Sequence, residues 1–303
     1  MIAKLVSSFA LAIGLSSAAL AQEETGADPT AQIIADAPDS DWRQIDAEDL
    51  VKISTNEGVA WVELADEFAP AHTARIRELA RADWFDYKVW HRVISGFMAQ
   101  GGGAIDNPAI NAPTQPLNAE FIVRRNPFEI EVSELQERTI NPRSNRSRQM
   151  AGFWNGFQVG TQRAAAAAVM GDGLVDSWLI HCKGAAAMAR TSDPNSANAQ
   201  FYIVTGDAEH LNTQYTVWGK VRAGQDAIDA LKVGTLGEDR GFFPSIIEDV
   251  EIATDLEQAP QVWVMDTNSA SFEAYLAALT TSNDGTLPDL CDIDVPVRII
   301  ETN

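Results

Sequence analysis

Residues 90–102 read WHRVISGFMAQGG, and this stretch decides how the rest of the chain is interpreted. The part up to Met98 is rich in residues that favour β-strands, and the glycines that follow Gln100 permit a sharp bend or a close approach to a ligand. Arg92 is a permanent cation with a planar fork of donors, whereas Phe97 and Met98 are large and apolar. These residues fit either a shallow apolar pocket beside a fixed cation or ordinary strand packing with an arginine at its rim.

The segments around this stretch predict a mainly β fold. Most of them are short and β-rich, and only two have clear helical periodicity. Many short strands with few helices favour a closed or nearly closed antiparallel barrel capped by two helices. The predicted strands are 51–53, 59–64, 89–98, 200–204, 215–219 and 246–252, and the predicted helices are 71–81 and 225–231.

A second stretch, MARTSDPNSANAQFYI at residues 188–203, makes the interpretation specific. HRVISGFMAQGG resembles the signature of the cyclophilins, and residues 188–203 resemble their second hallmark segment. LNTQYTVWGKV at 211–221 is similar to the segment that follows the active-site strand in that family. The resemblance covers about Leu50 to Asp255 apart from an insertion, and it implies a barrel of about eight strands.

The resemblance also implies the function, which is the cis–trans isomerisation of X–Pro bonds in polypeptides. The family carries out this reaction without a metal or a cofactor, so none is expected here. The substrates would be proline-containing polypeptides, including unfolded or exported client proteins. Two alternatives remain at this point: a chaperone module that binds proline peptides with little turnover, and an assembly protein whose insertion and tail form an interface.

Residue roles follow from the resemblance position by position. Tyr202 departs from the family, which usually has phenylalanine there, and its hydroxyl needs a hydrogen-bond partner. The catalytic residues would be Arg92, as the donor, and Gln100, which together with Gln200 would bind the substrate backbone. The proline pocket would be lined by Phe97, Met98, Tyr202 and Leu211, the groove flanked by Ala189, Arg190 and Thr191, and its rim closed by Tyr215.

Charge and the first residues bear on location and partners. The formal net charge is −21, and such a field repels phosphate backbones, so nucleic acid is not an expected partner.

Lys4 precedes an apolar run, and Ala19-Leu20-Ala21 fits a cleavage site after Ala21. A membrane anchor is the alternative, but the run is short for a span of roughly 20 residues. We therefore expect residues 1–21 to be a cleaved signal peptide and the mature protein to be periplasmic or secreted, without stable membrane insertion.

The remaining organisation is less determined by sequence. Residues 22–47 are rich in Asp, Glu, Ala and Pro and predict a flexible acidic lead, followed by the isomerase domain at 48–255. The insertion, about 124–179, is predicted to be either a flap anchored by Trp154 and Trp178, with a role in client binding or gating, or a surface elaboration without such a role. The C-terminal extension, 256–303, is expected to pack on the barrel. Cys182 and Cys291 are compatible with a disulfide or with two free thiols.

Overall fold

The computed structural model describes residues 28–103, 115–128, 132–139, 148–206 and 208–301. The predicted signal peptide therefore lies outside the described residues. Within these ranges, no helix is both long enough and apolar enough to cross a membrane.

The described residues form seventeen strands and five α-helices. The strands are β1 Trp42–Gln44, β2 Leu50–Thr55, β3 Gly58–Leu64, β4 Arg92–Ile94, β5 Met98–Gly101, β6 Val123–Arg125, β7 Ser133–Thr139, β8 Arg148–Trp154, β9 Phe157–Thr161, β10 Val175–Leu179, β11 Ala185–Met188, β12 Phe201–Val204, β13 Val217–Ala223, β14 Gly234–Thr235, β15 Ile247–Ile252, β16 Gln261–Met265 and β17 Val297–Ile300. The helices are α1 Pro29–Asp36, α2 Pro70–Arg81, α3 Ala165–Met170, α4 Gln225–Asp229 and α5 Ala270–Ser282.

Nine strands form the predicted antiparallel barrel. Their order is β14-β4-β5-β12-β11-β13-β3-β2-β15. The sheet closes where the segment just before β4 meets the start of β15. There, Ile247 N–H donates to the Lys88 carbonyl at 2.7 Å and Trp90 N–H donates to the Ser245 carbonyl at 2.9 Å. The mainly β fold with an antiparallel barrel predicted from the sequence is thereby confirmed, with the two-residue β14 as a ninth strand.

Successive side chains of the barrel strands pack in two different apolar clusters, one on each face of the sheet. On β12, Phe201 and Ile203 belong to the barrel core, whereas Tyr202 and Val204 belong to a separate cluster on the outer face. Because successive side chains of a strand point to opposite faces, this pattern requires cover on both sides of the sheet. Helix α2 supplies part of the inner cover, since Ile76, Leu79 and Ala80 join the same core as Phe201.

The insertion supplies the outer cover. It forms an antiparallel sheet in the order β6-β10-β9-β8-β7. Trp154 and Leu179 belong to the outer-face cluster of the barrel, whereas Phe153 and Trp178 belong to a third cluster shared with the C-terminal extension. A Cβ on Gly160 would lie 2.4 Å from the Trp178 indole, so only glycine allows this approach. The insertion is therefore a sheet buried on both faces.

The C-terminal extension packs on the insertion as well as on the barrel. Strands β16 and β17 form a three-stranded sheet with β1, and Phe272 of α5 makes an edge-on contact with Phe153 at 5.1 Å between ring centroids. Leu50 and Ala253, at the edge of the barrel, join the same cluster. The expectation that the extension rests on the barrel therefore describes only part of its interface.

The lead is folded from Asp28 onwards, which corrects the expectation that it is flexible. Strand β1 pairs with β16, with Trp42 opposite Met265, and α1 packs on α5. Trp42 is 5% exposed, and the Arg298 guanidinium lies 3.9 Å from its ring centroid. Ala37 and Ile45 are buried in the same cluster as Trp42, and together they anchor an otherwise acidic segment whose composition alone predicts flexibility.

A buried ionic group joins the lead, the barrel and the insertion. The Glu63 carboxylate accepts hydrogen bonds from Arg222 Nε at 2.7 Å and from an Arg43 terminal nitrogen at 2.6 Å. The same arginines donate to the backbone of the β8–β9 turn, to the Asn155 carbonyl at 2.9 Å and to the Gly156 carbonyl at 2.8 Å. The side chains of Glu63 and Arg222 are 5% and 2% exposed. Buried charges of this kind are costly unless they are paired, and here the second terminal nitrogen of Arg222 also lies 2.6 Å from the Glu63 carboxylate.

Cys182 and Cys291 form a disulfide, with 5.0 Å between their Cα atoms. Cys182 follows the last insertion strand, and Cys291 lies in the C-terminal extension. The bond closes a loop of 109 residues, and a loop of that size contributes roughly 4 to 5 kcal/mol in the chain-entropy account.

We predict that Glu63→Ala lowers the free energy of unfolding by about 3–5 kcal/mol, because it leaves the Arg222 charge buried without a carboxylate. The measurement is equilibrium unfolding in urea. Asp39→Ala is the matched control, since it breaks the Asp39–Arg298 pair, whose Asp39 side chain is 99% exposed and screened by water. Similar losses in the two variants would contradict the role assigned to Glu63.

Candidate active site

The outer face of three barrel strands carries the two predicted catalytic residues and one predicted proline-pocket residue in one row. Arg92 on β4 stands opposite Gln100 on β5, and Gln100 stands opposite Tyr202 on β12. Directly paired residues of antiparallel strands share a face, so the three side chains lie side by side. Gln100 Nε2 also donates to Gln200 Oε1 at 3.3 Å, which links this row to the residue before β12.

An open cavity of about 360 Å3 lies over this row. Its volume is in the range of small ligand sites. Nine of the eleven residues predicted from the sequence line it: Arg92, Phe97, Met98, Gln100, Ala189, Arg190, Tyr202, Leu211 and Tyr215. The cavity therefore combines an apolar wall with two guanidinium groups and one amide.

Thr191 and Gln200 do not line the cavity. Thr191 is exposed, and its hydroxyl is hydrogen-bonded to the Ser196 hydroxyl at 2.8 Å. Gln200 is half-buried and contacts the cavity lining through its hydrogen bond with Gln100. In this structure, these two residues flank the cavity or support its lining.

Stacked side chains hold the cavity rim. The Arg190 guanidinium lies 4.4 Å from the Tyr215 ring centroid, and its Nε donates to the Gln214 carbonyl at 2.9 Å. On the other side, Phe97 stacks on His210 with 5.3 Å between ring centroids. These contacts limit the rotamers available to the two rim aromatics before any ligand binds.

A buried polar chain lies behind the apolar wall. The Tyr202 hydroxyl is 3.0 Å from His181 Nε2, and His181 Nδ1 is 3.0 Å from Asn212 Oδ1. Neither His181 nor Asn212 belongs to the site residues predicted from the sequence. Burial lowers the pKa of His181 to about 4, with a smaller opposing effect from the hydrogen bond to Asn212, and burial raises the pKa of Tyr202. Both side chains are therefore neutral at pH 7.

The insertion backs this site. Leu179, Val159 and Trp154 of the insertion sheet belong to the same apolar cluster as Met98 and Tyr202. His181 follows β10 by two residues, so the strand that covers the barrel also delivers the partner of the Tyr202 hydroxyl.

The chemistry of the cavity lining is not that of a metal site. It contains amide, guanidinium, phenol and thioether groups, and none of the described residues that line it is Asp, Glu, His or Cys. Elsewhere in the described part of the chain, Glu209, Asp289 and Cys291 come together, but the cysteine sulfur already belongs to the disulfide. The cavity itself is suited to binding an uncharged or weakly polar group beside fixed hydrogen-bond donors.

Comparison with known proteins identifies the family. A model of the family described as cyclophilin type peptidyl-prolyl cis-trans isomerase/CLD matches residues 50–252. The chain belongs to the cyclophilins. It is therefore a peptidyl-prolyl cis-trans isomerase, an enzyme that accelerates the rotation of X–Pro peptide bonds.

Individual cyclophilin relatives agree with this assignment. A protein of Brucella suis named as a probable peptidyl-prolyl cis-trans isomerase is 30% identical over 193 residues, which cover 64% of this chain and 76% of the relative. Peptidyl-prolyl cis-trans isomerase B of Escherichia coli is 26% identical over 191 residues, which cover 60% of this chain and 84% of the relative.

A solved cyclophilin structure extends the similarity beyond the barrel. The crystal structure of cyclophilin AquaCyp293 from Hirschia baltica is 33% identical, with a TM-score of 0.75 over 90% of this chain and 98% of that chain. This coverage is wider than residues 50–252, so it reaches into segments outside the span of the family model.

We predict that His181 contributes to stability in a defined pH window. Its pKa of about 4 lies below the ordinary 6.5, so the unfolded chain takes up a proton more readily than the folded protein as the pH falls. The contribution is complete above pH 6.5 and is lost between about pH 6.5 and 4, amounting to roughly 3 kcal/mol. The measurement is the free energy of unfolding in urea at several pH values across this range. We expect this free energy to change less steeply with pH in His181→Gln than in wild type. The same pH dependence in both proteins would contradict the prediction.

Proposed function

We propose that Arg92 catalyses isomerisation by donating a hydrogen bond to the prolyl nitrogen while the proline ring lies in the 360 Å3 cavity. The observation that carries the proposal is the position of one guanidinium at the edge of an apolar wall formed by Phe97, Met98, Tyr202 and Leu211. Within the described residues, Arg92 forms no salt bridge, and its terminal nitrogen lies 3.9 Å from Met98 Sδ. Its donors are therefore available to a ligand.

The chemistry of the amide explains why one donor suffices. Rotation about an X–Pro bond is slow because conjugation must be broken, at a barrier of roughly 18–20 kcal/mol. In the twisted state the nitrogen is pyramidal and carries a lone pair, whereas in the planar state that lone pair is delocalised into the carbonyl. A donor aimed at the nitrogen therefore binds the twisted state more strongly, and such selective binding is catalysis.

The other cavity residues would hold the substrate while its carbonyl rotates. The apolar wall buries the ring in either isomer, so it provides affinity without favouring cis or trans. Gln100, which stands opposite Arg92, offers a donor and an acceptor to the substrate backbone. A module that only bound proline would need the wall but would have no use for a guanidinium whose single hydrogen bond within the described residues is to Met98 Sδ, and this favours turnover over the chaperone alternative.

We further propose that the clients are exported proteins and that the enzyme works in the periplasm or outside the cell. The support is the signal-like pattern of residues 1–21 together with the Cys182–Cys291 disulfide, a bond that forms and persists in oxidising compartments.

The catalytic proposal predicts that Arg92→Ala lowers kcat/KM by roughly 100- to 1,000-fold, as expected for the loss of one transition-state donor. The measurement is NMR exchange between the cis and trans forms of a short Ala-Pro peptide at catalytic enzyme concentration. Arg81→Ala is the control, because Arg81 pairs with the exposed Glu48 and Asp255 away from the cavity. Acceleration that survives in Arg92→Ala would refute the donor role, and no acceleration by wild type would favour a proline-peptide-binding module.

The location proposal predicts a mature protein that begins at Gln22. Expression of the full chain in a bacterial host with a periplasm, followed by fractionation and intact-mass spectrometry, is the measurement. Recovery of the uncleaved chain from the cytoplasmic fraction, with reduced Cys182 and Cys291, would contradict the proposal.

A further inference from the structure

The donor and acceptor roles in the buried chain behind the cavity are fixed by one backbone group. His181 N–H donates to Asn212 Oδ1 at 2.8 Å, so the oxygen of the Asn212 amide must face His181. That oxygen cannot donate, and the Nδ1 atom 3.0 Å away from it must therefore carry the imidazole proton. In the neutral ring Nε2 is then an acceptor, and the Tyr202 hydroxyl donates to it.

The position of the Tyr202 ring depends on this hydrogen bond. Tyr202 is 4% exposed and lines the cavity, while His181 is 0% exposed. A phenol hydroxyl buried at this depth is costly unless it is bonded, so the bond to Nε2 opposes any movement that would carry the ring out of its place. The Tyr215 ring meets Tyr202 edge-on at 5.9 Å and borders it from the cavity side.

We infer that His181 is a positioning residue of this isomerase, because its Nε2 atom accepts the Tyr202 hydroxyl and so fixes the aromatic wall on which the proline ring packs. The inference rests on the proposed proline cavity, but it does not depend on Arg92. It also accounts for the tyrosine in place of the usual phenylalanine: the hydroxyl ties the cavity wall to the segment between β10 and β11, and His181 in that segment receives it.

A double-mutant cycle tests the inference. His181→Leu removes the acceptor, Tyr202→Phe removes the donor, and the third protein carries both changes. We expect His181→Leu to lower kcat/KM about tenfold when Tyr202 is present and by far less when residue 202 is phenylalanine, since no hydroxyl is then left unbonded. The loss should appear mainly in KM, because the wall contacts the ring in both planar and twisted states. Equal losses in the two backgrounds would overturn the inference.

Two further variants separate positioning from general destabilisation. His181→Gln keeps an acceptor and a donor on one side chain, so it should recover most of the activity lost in His181→Leu. His72→Leu removes another histidine that is 0% exposed, and its effect should be the same with tyrosine or phenylalanine at residue 202. Activity that stays at the His181→Leu level in His181→Gln would count against the acceptor role.

A spectroscopic readout needs no substitution. The 15N shifts of His181 in the intact protein at pH 7 distinguish a protonated from an unprotonated ring nitrogen, and we expect the proton on Nδ1 and none on Nε2. A proton on Nε2 would overturn the inference, whatever the kinetics. Arg92→Ala in the same peptide assay reports separately on the proposed function, because its effect does not involve the Tyr202 hydroxyl.

Discussion

The buried carboxylate of Glu63 joins segments of the chain that are far apart in sequence. It receives Arg222 from the barrel and Arg43 from the lead, and these arginines also donate to the backbone of the insertion turn at residues 155 and 156. Because Val62 and Leu64 face the barrel core, Glu63 faces outward, towards the insertion. The Glu63 group therefore fixes the β8–β9 turn of the insertion against the barrel and the lead, and the apolar contacts of the insertion sheet extend this attachment.

The position of the insertion sheet on the barrel shapes the active site. The outer face of the central barrel strands carries Met98, Tyr202 and Val204, an apolar surface that water would otherwise cover. The insertion sheet buries one part of this surface and leaves the part beside Arg92 open as the cavity. With Leu179 and Val159 packed in the same cluster, the far end of the Tyr202 ring is sealed from solvent, and a histidine can serve as its hydrogen-bond partner there. The disulfide from Cys182 to Cys291 ties the next residue of the same loop to the C-terminal extension.

The motifs of the sequence predicted the barrel and most of the cavity, because the stretches 90–102 and 188–203 contain seven of the nine residues that line it. They did not predict His181 or Asn212, because the chain of contacts from Tyr202 to His181 to Asn212 joins residues that no sequence motif relates. The sequence does contain a signal for the strands of the insertion. Asn155-Gly156 between Trp154 and Phe157 is typical of a two-residue hairpin turn, and both residues have positive φ, 51° and 80°. Trp42 likewise indicated an ordered lead, but a single aromatic residue in an acidic segment has no partner until β16 is in place.

The central claim is that proline binds in the cavity over β4, β5 and β12. The most direct measurement is intermolecular NOE spectroscopy on the wild-type enzyme with a bound Ala-Pro peptide. The account predicts contacts from the prolyl ring protons to the rings of Phe97 and Tyr202 and to the methyl group of Met98, in both peptide isomers. Contacts from those protons to any other surface, with none to Tyr202, would contradict it.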